Sequence, residues 1–340
     1  MEGSAEERKA VLVTGGSGYL GGWCVVELLR RGHEVRTTVR DLVREAEVRA
    51  AVATQVDAGD RLTVLAADLL EDAGWADAVS GCGHVLHVAS PFPPQQPKDP
   101  DELIVPARDG TLRVLAASLD AGVERIVVTS SVAAISGSGK PVHGRPLDEQ
   151  DWSDPDNAKL SPYARSKTIA ERAAWDLVRE RGATERLATV NPGAIIGPVL
   201  SDDRSFSLQA IERLLSGMPG VPRIGFSFVD VRDVADLEIR AMTASEAGGE
   251  RFVAVESFHW MADLAAVLRE HMGDAAGKVP TRTVPNLLVR GMAIFDPGVR
   301  SIVGQLGRRT DLSSERARTQ LGWSPRPIEE TVVECAQSLL

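Results

Sequence analysis

Basic residues are in short supply. Thirty-eight lysines and arginines face 48 aspartates and glutamates, a formal charge of -10 with a pI near 5.2. No basic stripe offsets the deficit, which disfavours nucleic acid and anionic membrane surfaces as partners. Cysteine is scarce too: Cys24, Cys82 and Cys335 lie far apart at no ligand spacing, so reduced thiols and no metal site are expected. No apolar run reaches membrane-spanning length, and the polar start MEGSAEERKA lacks the apolar segment of a signal peptide. Internal repeats and low-complexity tracts are missing as well. What these absences leave is a cytoplasmic protein that handles a small molecule, with a homodimer left open.

The 340 residues suffice for a large core and two lobes. Strand-like and helical runs alternate, which predicts an α/β fold: a Rossmann doubly wound parallel sheet with a smaller, mixed C-terminal substrate lobe. Residues 1–193 are expected to be mainly the dinucleotide-binding domain, with 226–256 returning to it; 194–225 and 257–340 are expected to form the substrate lobe.

A β-branched run from Ala10 to Thr14 leads into TGGSGYLGG, followed by a helical pattern that ends at Gly32. Strand, glycine turn, helix is the context a dinucleotide fingerprint requires. Its spacing reads as Gly16, Gly18, Gly21 or as Gly15, Gly18, Gly21. Either way glycine permits the tight turn and the close approach of backbone to a pyrophosphate, and the helix N–H groups face the anion. Thr14, Tyr19 and Leu20 belong to the same turn.

Farther along, each predicted strand delivers a candidate at its carboxyl end, where this fold binds ligands. The second strand, Glu34 to Val39, is followed by Arg40 and Arg44 rather than by a ribose-binding carboxylate. A guanidinium suits a 2′-phosphate, so NADP(H) is predicted over NAD(H), with Asp41 turned away. After Leu62 to Ala66 come Asp68 and Leu69, placed to meet the adenine amino group and ring. His84 to Val88 runs into Ala89, Ser90 and a proline-rich stretch, a candidate rim of the substrate pocket; His84 and His87 read as hydrogen-bonded strand histidines. A helix is expected from about Pro106 to Ala121. Arg125 to Val128 delivers Thr129, Ser130 and Ser131, and Leu187 to Val190 leads to Pro192 and Gly193. Phe226 to Met242 reads as a return to the main sheet with a covering helix.

Between Pro162 and Arg181 apolar residues recur at helical spacing, with Ser161 as N-cap and Pro162 in the first turn. Tyr163 and Lys167 then share a face. A phenol titrates near about 10, and a fixed ammonium beside it lowers that value, so the pair can form an acid/base unit.

TGGSGYLG, HVASP, the TSS after the fifth strand, YARSK and NPGAIIGP occur in this order over nearly the whole chain. Together they resemble the extended short-chain dehydrogenase/reductases. TTVRD, GCGHVLHVASP and YARSKTIAERAAW are most similar to the dihydroflavonol 4-reductase, anthocyanidin reductase and cinnamoyl-CoA reductase group, with its bacterial aldehyde reductases. The resemblance implies NADPH-dependent reduction of an aldehyde or ketone, apolar or aromatic. Tyr163 is then the proton donor, Lys167 the ribose-binding residue that lowers the phenol's pKa, and Ser131 the hydroxyl that holds the substrate oxygen, with Ser130 one register away. Gly15, Gly18 and Gly21 are implied to cradle the pyrophosphate, and Val88, Ala89, Ser90, Pro192 and Gly193 to line the cofactor.

There are departures. Asp109 stands where some members carry a catalytic asparagine, and AKLSPYARSK lacks the aromatic and cysteine pattern of the plant cinnamoyl-CoA reductases, so no plant substrate carries over. Phe92, Pro93, Ile135, Phe206 and Leu208 are candidate pocket walls. A nucleotide-sugar epimerase or dehydratase shares the fold and triad, but Val132 and Ala133 follow Ser131 where dehydratases carry Asp-Glu. A non-catalytic NADP-binding regulator is the other alternative, and such proteins usually lack the tyrosine or lysine.

Overall fold

The computed structural model describes residues 9–91, 99–137, 144–201, 206–294 and 303–340. Strand β1 (Ala10–Thr14) enters helix α1 (Tyr19–Arg30) through the glycine turn. Then follow β2 (Val35–Val39), α2 (Glu45–Ala53), β3 (Leu62–Ala66), α3 (Trp75–Val79) and β4 (Cys82–His87). Next come α4 (Asp101–Asp120), β5 (Arg125–Thr129), α5 (Ala133–Ser136) and α6 (Pro162–Glu180). The chain goes on to β6 (Leu187–Pro192), β7 (Ala194–Ile196), α7 (Phe206–Ser216), β8 (Val221–Pro222), β9 (Gly225–Asp230) and α8 (Val231–Thr243). It continues with β10 (Arg251–Ala254), β11 (Ser257–Trp260), α9 (Met261–His271), β12 (Thr283–Val284) and α10 (Asn286–Met292). Helices Glu315–Leu321 and Ile328–Leu339 end the described chain.

Seven strands form one parallel sheet in the order β10-β6-β5-β4-β1-β2-β3. Strand order reverses between β1 and β4, which opens a crevice at their carboxyl ends. Helices α1 and α8 pack together on one face of the sheet, and α4 packs on α6 on the other. The two faces have separate apolar cores, one around Trp23, Leu28 and Phe252 and one around Trp75, Leu115 and Ile126. A third core, with Leu208, Phe228, Leu264 and Val332, fills the smaller lobe. No helix among the described residues is long and apolar enough to cross a membrane.

Several boundaries differ from the sequence reading. Strand β9 does not return to the main sheet: it lies in a three-stranded sheet between β7 and β11, and the seventh main-sheet strand is β10. Such long-range pairing leaves no local signal. The expected covering helix exists as α8. Helix α4 begins at Asp101, with Pro106 inside it, because Asp101 and Glu102 supply a favourable acidic first turn before the proline. Near the C-terminus, Ala317, Leu321 and Trp323 are buried in the main core, not in the smaller lobe; Trp323 Nε1 donates to the Asp233 carbonyl, 2.8 Å.

Candidate active site

The glycine turn closes on itself. Gly15 sits at φ +74°, and a Cβ there would lie 3.0 Å from the Ala89 Cβ. A Cβ on Gly16 would fall 2.1 Å from Thr37 Oγ1, and one on Gly21 would fall 2.2 Å from the Gly15 carbonyl oxygen. Both spacings read from the sequence therefore have a steric reason: Gly15 sets the turn, Gly16 brings it against β2, and Gly21 lets α1 pack on it. Among the described residues no side chain caps α1, so its first-turn N–H groups remain available as donors. Beside them lies a cleft lined by Gly16, Ser17, Gly18, Glu47, Val48 and Leu200, among others. Uncapped donors above side-chain-free backbone fit a pyrophosphate.

Side chains of the turn serve packing. The Tyr19 hydroxyl donates to the Gly197 carbonyl at 2.8 Å, Leu20 is buried in the core, and Thr14 Oγ1 accepts from the Ala89 N–H at 3.0 Å while bonding His87 Nδ1 at 3.0 Å. Arg40 is exposed at the end of β2. The Arg44 guanidinium grips the Glu47 carboxylate through two 2.9 Å hydrogen bonds. The Asp41 carboxylate accepts from the Val43 N–H at 2.9 Å, a local turn. Asp68 likewise accepts from the Leu70 N–H at 3.0 Å, and Leu69 packs against Gly110 of α4.

A second cleft opens at the carboxyl ends of β4 and β5 and is lined by His87, Ala89, Ser90, Ser130, Lys167 and Glu171 with their neighbours. Ser161 caps α6 by accepting from the Ala164 N–H at 3.2 Å, as its sequence implied. Tyr163 in the first turn shares a hydrogen bond with the Ser131 side chain, and Ser131 Oγ accepts from the Ala133 N–H at 3.1 Å. Ser130 is committed elsewhere: its hydroxyl donates to Glu171 Oε2 at 2.5 Å. The register thus brings Ser131, not Ser130, to the phenol. One turn later, Lys167 Nζ lies 3.5 Å from the Thr129 carbonyl oxygen.

Burial pushes the Tyr163 phenol above its ordinary value, and the Ser131 hydrogen bond offsets part of the rise. Burial and this hydrogen bond are the causes resolved at the phenol, and the Lys167 ammonium meets the Thr129 carbonyl. Burial lowers Lys167 itself to about 8, opposed by the charges of Glu171 and Glu238. His87, buried beside it, is held down to about 3, chiefly by burial and further by the lysine's charge, so its imidazole is neutral.

Of the expected pocket walls, Ile135 and Leu208 are fully buried in apolar clusters; an apolar residue after a strand reads the same whichever way it points. Phe92 and Pro93 lie outside the described residues, as does the side chain of Phe206, which opens α7. Asp109 pairs with Arg108 at 2.7 Å, and Thr111, two positions on, lines the cleft instead. Pro192 and Gly193 join β6 to its neighbours through Val132 N–H to the Pro192 carbonyl and Gly193 N–H to the Ala254 carbonyl, both 3.0 Å.

Two buried carboxylates went unread. Glu171 receives Ser130, Thr189 (3.1 Å), Asn191 (2.8 Å) and Arg251 (2.7 Å); Glu238 receives Thr129 and, at 3.7 Å, the Cys24 thiol. A signal existed. Glu171 falls on the buried stripe Ala164, Thr168, Trp175, Val178, and Glu238 on the stripe Val231, Val234, Ala241, at helical spacing in both cases.

Known proteins can be set beside this geometry. The model of the NAD dependent epimerase/dehydratase family matches residues 11–254. Cinnamoyl-CoA reductase CAD2 of Medicago truncatula is 39% identical over 334 residues, covering 97% of this chain and 95% of the relative. Dihydroflavonol 4-reductase of Zea mays is 34% identical over 279 residues, covering 78% and 75%. Among solved structures, the yeast methylglyoxal/isovaleraldehyde reductase Gre2 complexed with NADPH superposes with a TM-score of 0.80 at 25% identity, covering 97% of this chain and 98% of the other. The crevice at the strand reversal and the Ser131–Tyr163 pair therefore lie in a chain that belongs to the NAD dependent epimerase/dehydratase family, the extended short-chain dehydrogenase/reductases, beside the cinnamoyl-CoA and dihydroflavonol 4-reductases.

Proposed function

We propose that this oxidoreductase reduces an aldehyde or ketone to the alcohol with NADPH, using Ser131, Tyr163 and Lys167. The observation that carries the reading is the hydrogen bond between Ser131 and Tyr163 beside a cleft that Lys167 lines. NADPH, when bound, supplies the hydride. The glycine turn from Thr14 to Gly21 would hold its pyrophosphate, Arg40 its 2′-phosphate, and Asp68, Leu69, Val88 to Ser90, Pro192 and Gly193 its flanks, with Lys167 at the ribose. Arg44 is the weaker phosphate candidate, because Glu47 already occupies its guanidinium.

The chain's own residues do the rest. Ser131 meets the substrate oxygen as negative charge develops there, and Tyr163 delivers the proton. Burial, which holds the phenol protonated at neutral pH, suits a donor. Lys167, about 8, is mostly cationic at pH 7 and lends positive charge to the crevice. Relatives and neighbours named for cinnamoyl-CoA, a dihydroflavonol and methylglyoxal/isovaleraldehyde support a carbonyl substrate. Three buried, unpaired thiols support the reducing, cytoplasmic setting. The test is the fall in NADPH absorbance with a panel of aromatic and aliphatic aldehydes and ketones. Turnover of at least one supports the proposal; no turnover of any, together with recycling of bound cofactor on nucleotide sugars, overturns it.

A further inference from the structure

Three consecutive hydroxyl residues, Thr129 at the end of β5 and the two that follow it, each have a different partner. Thr129 donates to Glu238 on α8, Ser130 to Glu171 on α6, and Ser131 bonds Tyr163. Side chains alternate across a strand, so the two carboxylates bracket the strand end from opposite faces of the sheet. Both are buried, Glu238 at 0% exposure and Glu171 at 1%. Their compensation differs. Glu171 is neutralised by Arg251 in a buried ion pair, whereas Glu238 has no ion-pair partner within 4 Å among the described residues. The cation whose field reaches it is Lys167.

We propose that Glu238 is a positioning residue for the active site: it fixes Thr129, whose carbonyl meets Lys167, and its charge supports the lysine ammonium from behind the sheet. The inference rests on the Ser-Tyr-Lys reading above. Lys167 is faced by Glu171 on its own helix, by Glu238 from α8 and by the neutral His87 from β4. Glu238 is faced by Cys24 from α1, whose thiol burial pushes up and keeps protonated, and by Lys167 from α6. Burial raises Glu238 to about 7 and lowers Lys167 to about 8, so each opposes the other's loss of charge across the neutral range.

Glu238→Gln keeps the acceptor for Thr129 and deletes the charge. The alkaline limb of the turnover profile is expected to move down by about one pH unit, as for the loss of one partly screened buried charge. Competitive acetylation of the Lys167 amine in the absence of cofactor, followed by mass spectrometry, should show the same displacement. Thr129→Val, which removes the hydrogen bond that favours ionised Glu238, should shift both readouts in the same direction and stands in if the glutamine variant does not fold. A folded variant with both profiles superimposable on the parent overturns the proposal, since a merely structural carboxylate lowers Tm and moves neither. Tyr163→Phe separates the layers. Parent-like turnover there sinks the Ser-Tyr-Lys reading, while its loss alongside unmoved profiles in Glu238→Gln sinks only the positioning role.

Discussion

Ser131, just past the end of β5, and Tyr163, in the first turn of α6, share a hydrogen bond although a long loop separates them. Tyr163→Phe deletes the phenolic oxygen and leaves the apolar ring, so α6 should pack as before. Turnover is expected to fall at least about 100-fold, the low end for loss of a general acid, while the dissociation constant for NADPH, read by fluorescence, stays nearly unchanged. Residual turnover near the parent value would remove Tyr163 from the chemistry.

Arg40 is exposed just past the end of β2, next to the turn that occupies Asp41. Reversing its charge in Arg40→Asp should weaken NADPH binding about 10- to 100-fold, the worth of one charge-assisted contact, and leave NADH within a factor of about two. Paired titrations with the two nucleotides check it. An equal loss for both would show that the guanidinium does not read the 2′-phosphate.

Gly21 is the tightest point between α1 and the turn. A Cβ there would lie 2.2 Å from the Gly15 carbonyl oxygen and 3.3 Å from the Gly16 Cα, all of it backbone. Gly21→Ala must therefore push the helix off the turn, at about 1 to 3 kcal/mol for an overpacked site, and should lower both Tm and NADPH affinity. Gly59→Ala is a contrast in which the Cβ meets nothing within 4 Å among the described residues; its cost comes from backbone strain at φ +51°, and cofactor affinity should not change.

Much of this arrangement was legible because the fold puts function at strand ends, and strand ends are marked by local chemistry. Ala10–Thr14 and Leu62–Ala66 begin and end where β-branched and apolar runs predict, and Ser161 caps α6 as its hydroxyl and the following proline imply. Facing is what one residue cannot tell. Ile135 and Leu208 looked like pocket walls yet fill cores, and Glu171 and Glu238, which the sequence did not single out, meet the hydroxyls at the carboxyl end of β5. Sheet membership was lost for the same reason: β9 pairs with β7 and β11 through contacts made far along the chain.

The pairing of Glu171 with Arg251 bears directly on stability, since the two are exposed by only 1% and 8% and meet at 2.7 Å. Arg251→Met would fill the space with an apolar stem but strand the carboxylate. Removing one partner of a buried ion pair costs about 3 to 5 kcal/mol. Ser130, Thr189 and Asn191 still donate to Glu171, which places the expected loss near the lower figure. Urea unfolding of the variant against the parent measures it, and a change under about 1 kcal/mol would mean that those three donors alone satisfy the carboxylate.

His87 supplies the pH dependence. It is 2% exposed, its Nδ1 is held by Thr14 Oγ1 at 3.0 Å, and burial depresses it to about 3, against about 6.5 for a histidine in the unfolded chain. A base whose folded value is depressed takes up its proton more readily when unfolded. The stability it leaves intact above pH about 6.5 is therefore lost progressively as the pH falls toward about 3. At pH 5 the loss attributable to this one ring should reach about 2 kcal/mol, at 1.36 kcal/mol for each unit. His87→Gln, which retains a polar partner for Thr14 but cannot ionise, should flatten the stability curve between pH 5 and 7 by about that amount. If parent and variant lose stability in parallel over this range, the ring is not held neutral by the fold, and Lys167 then shares its cleft with a second titrating cation.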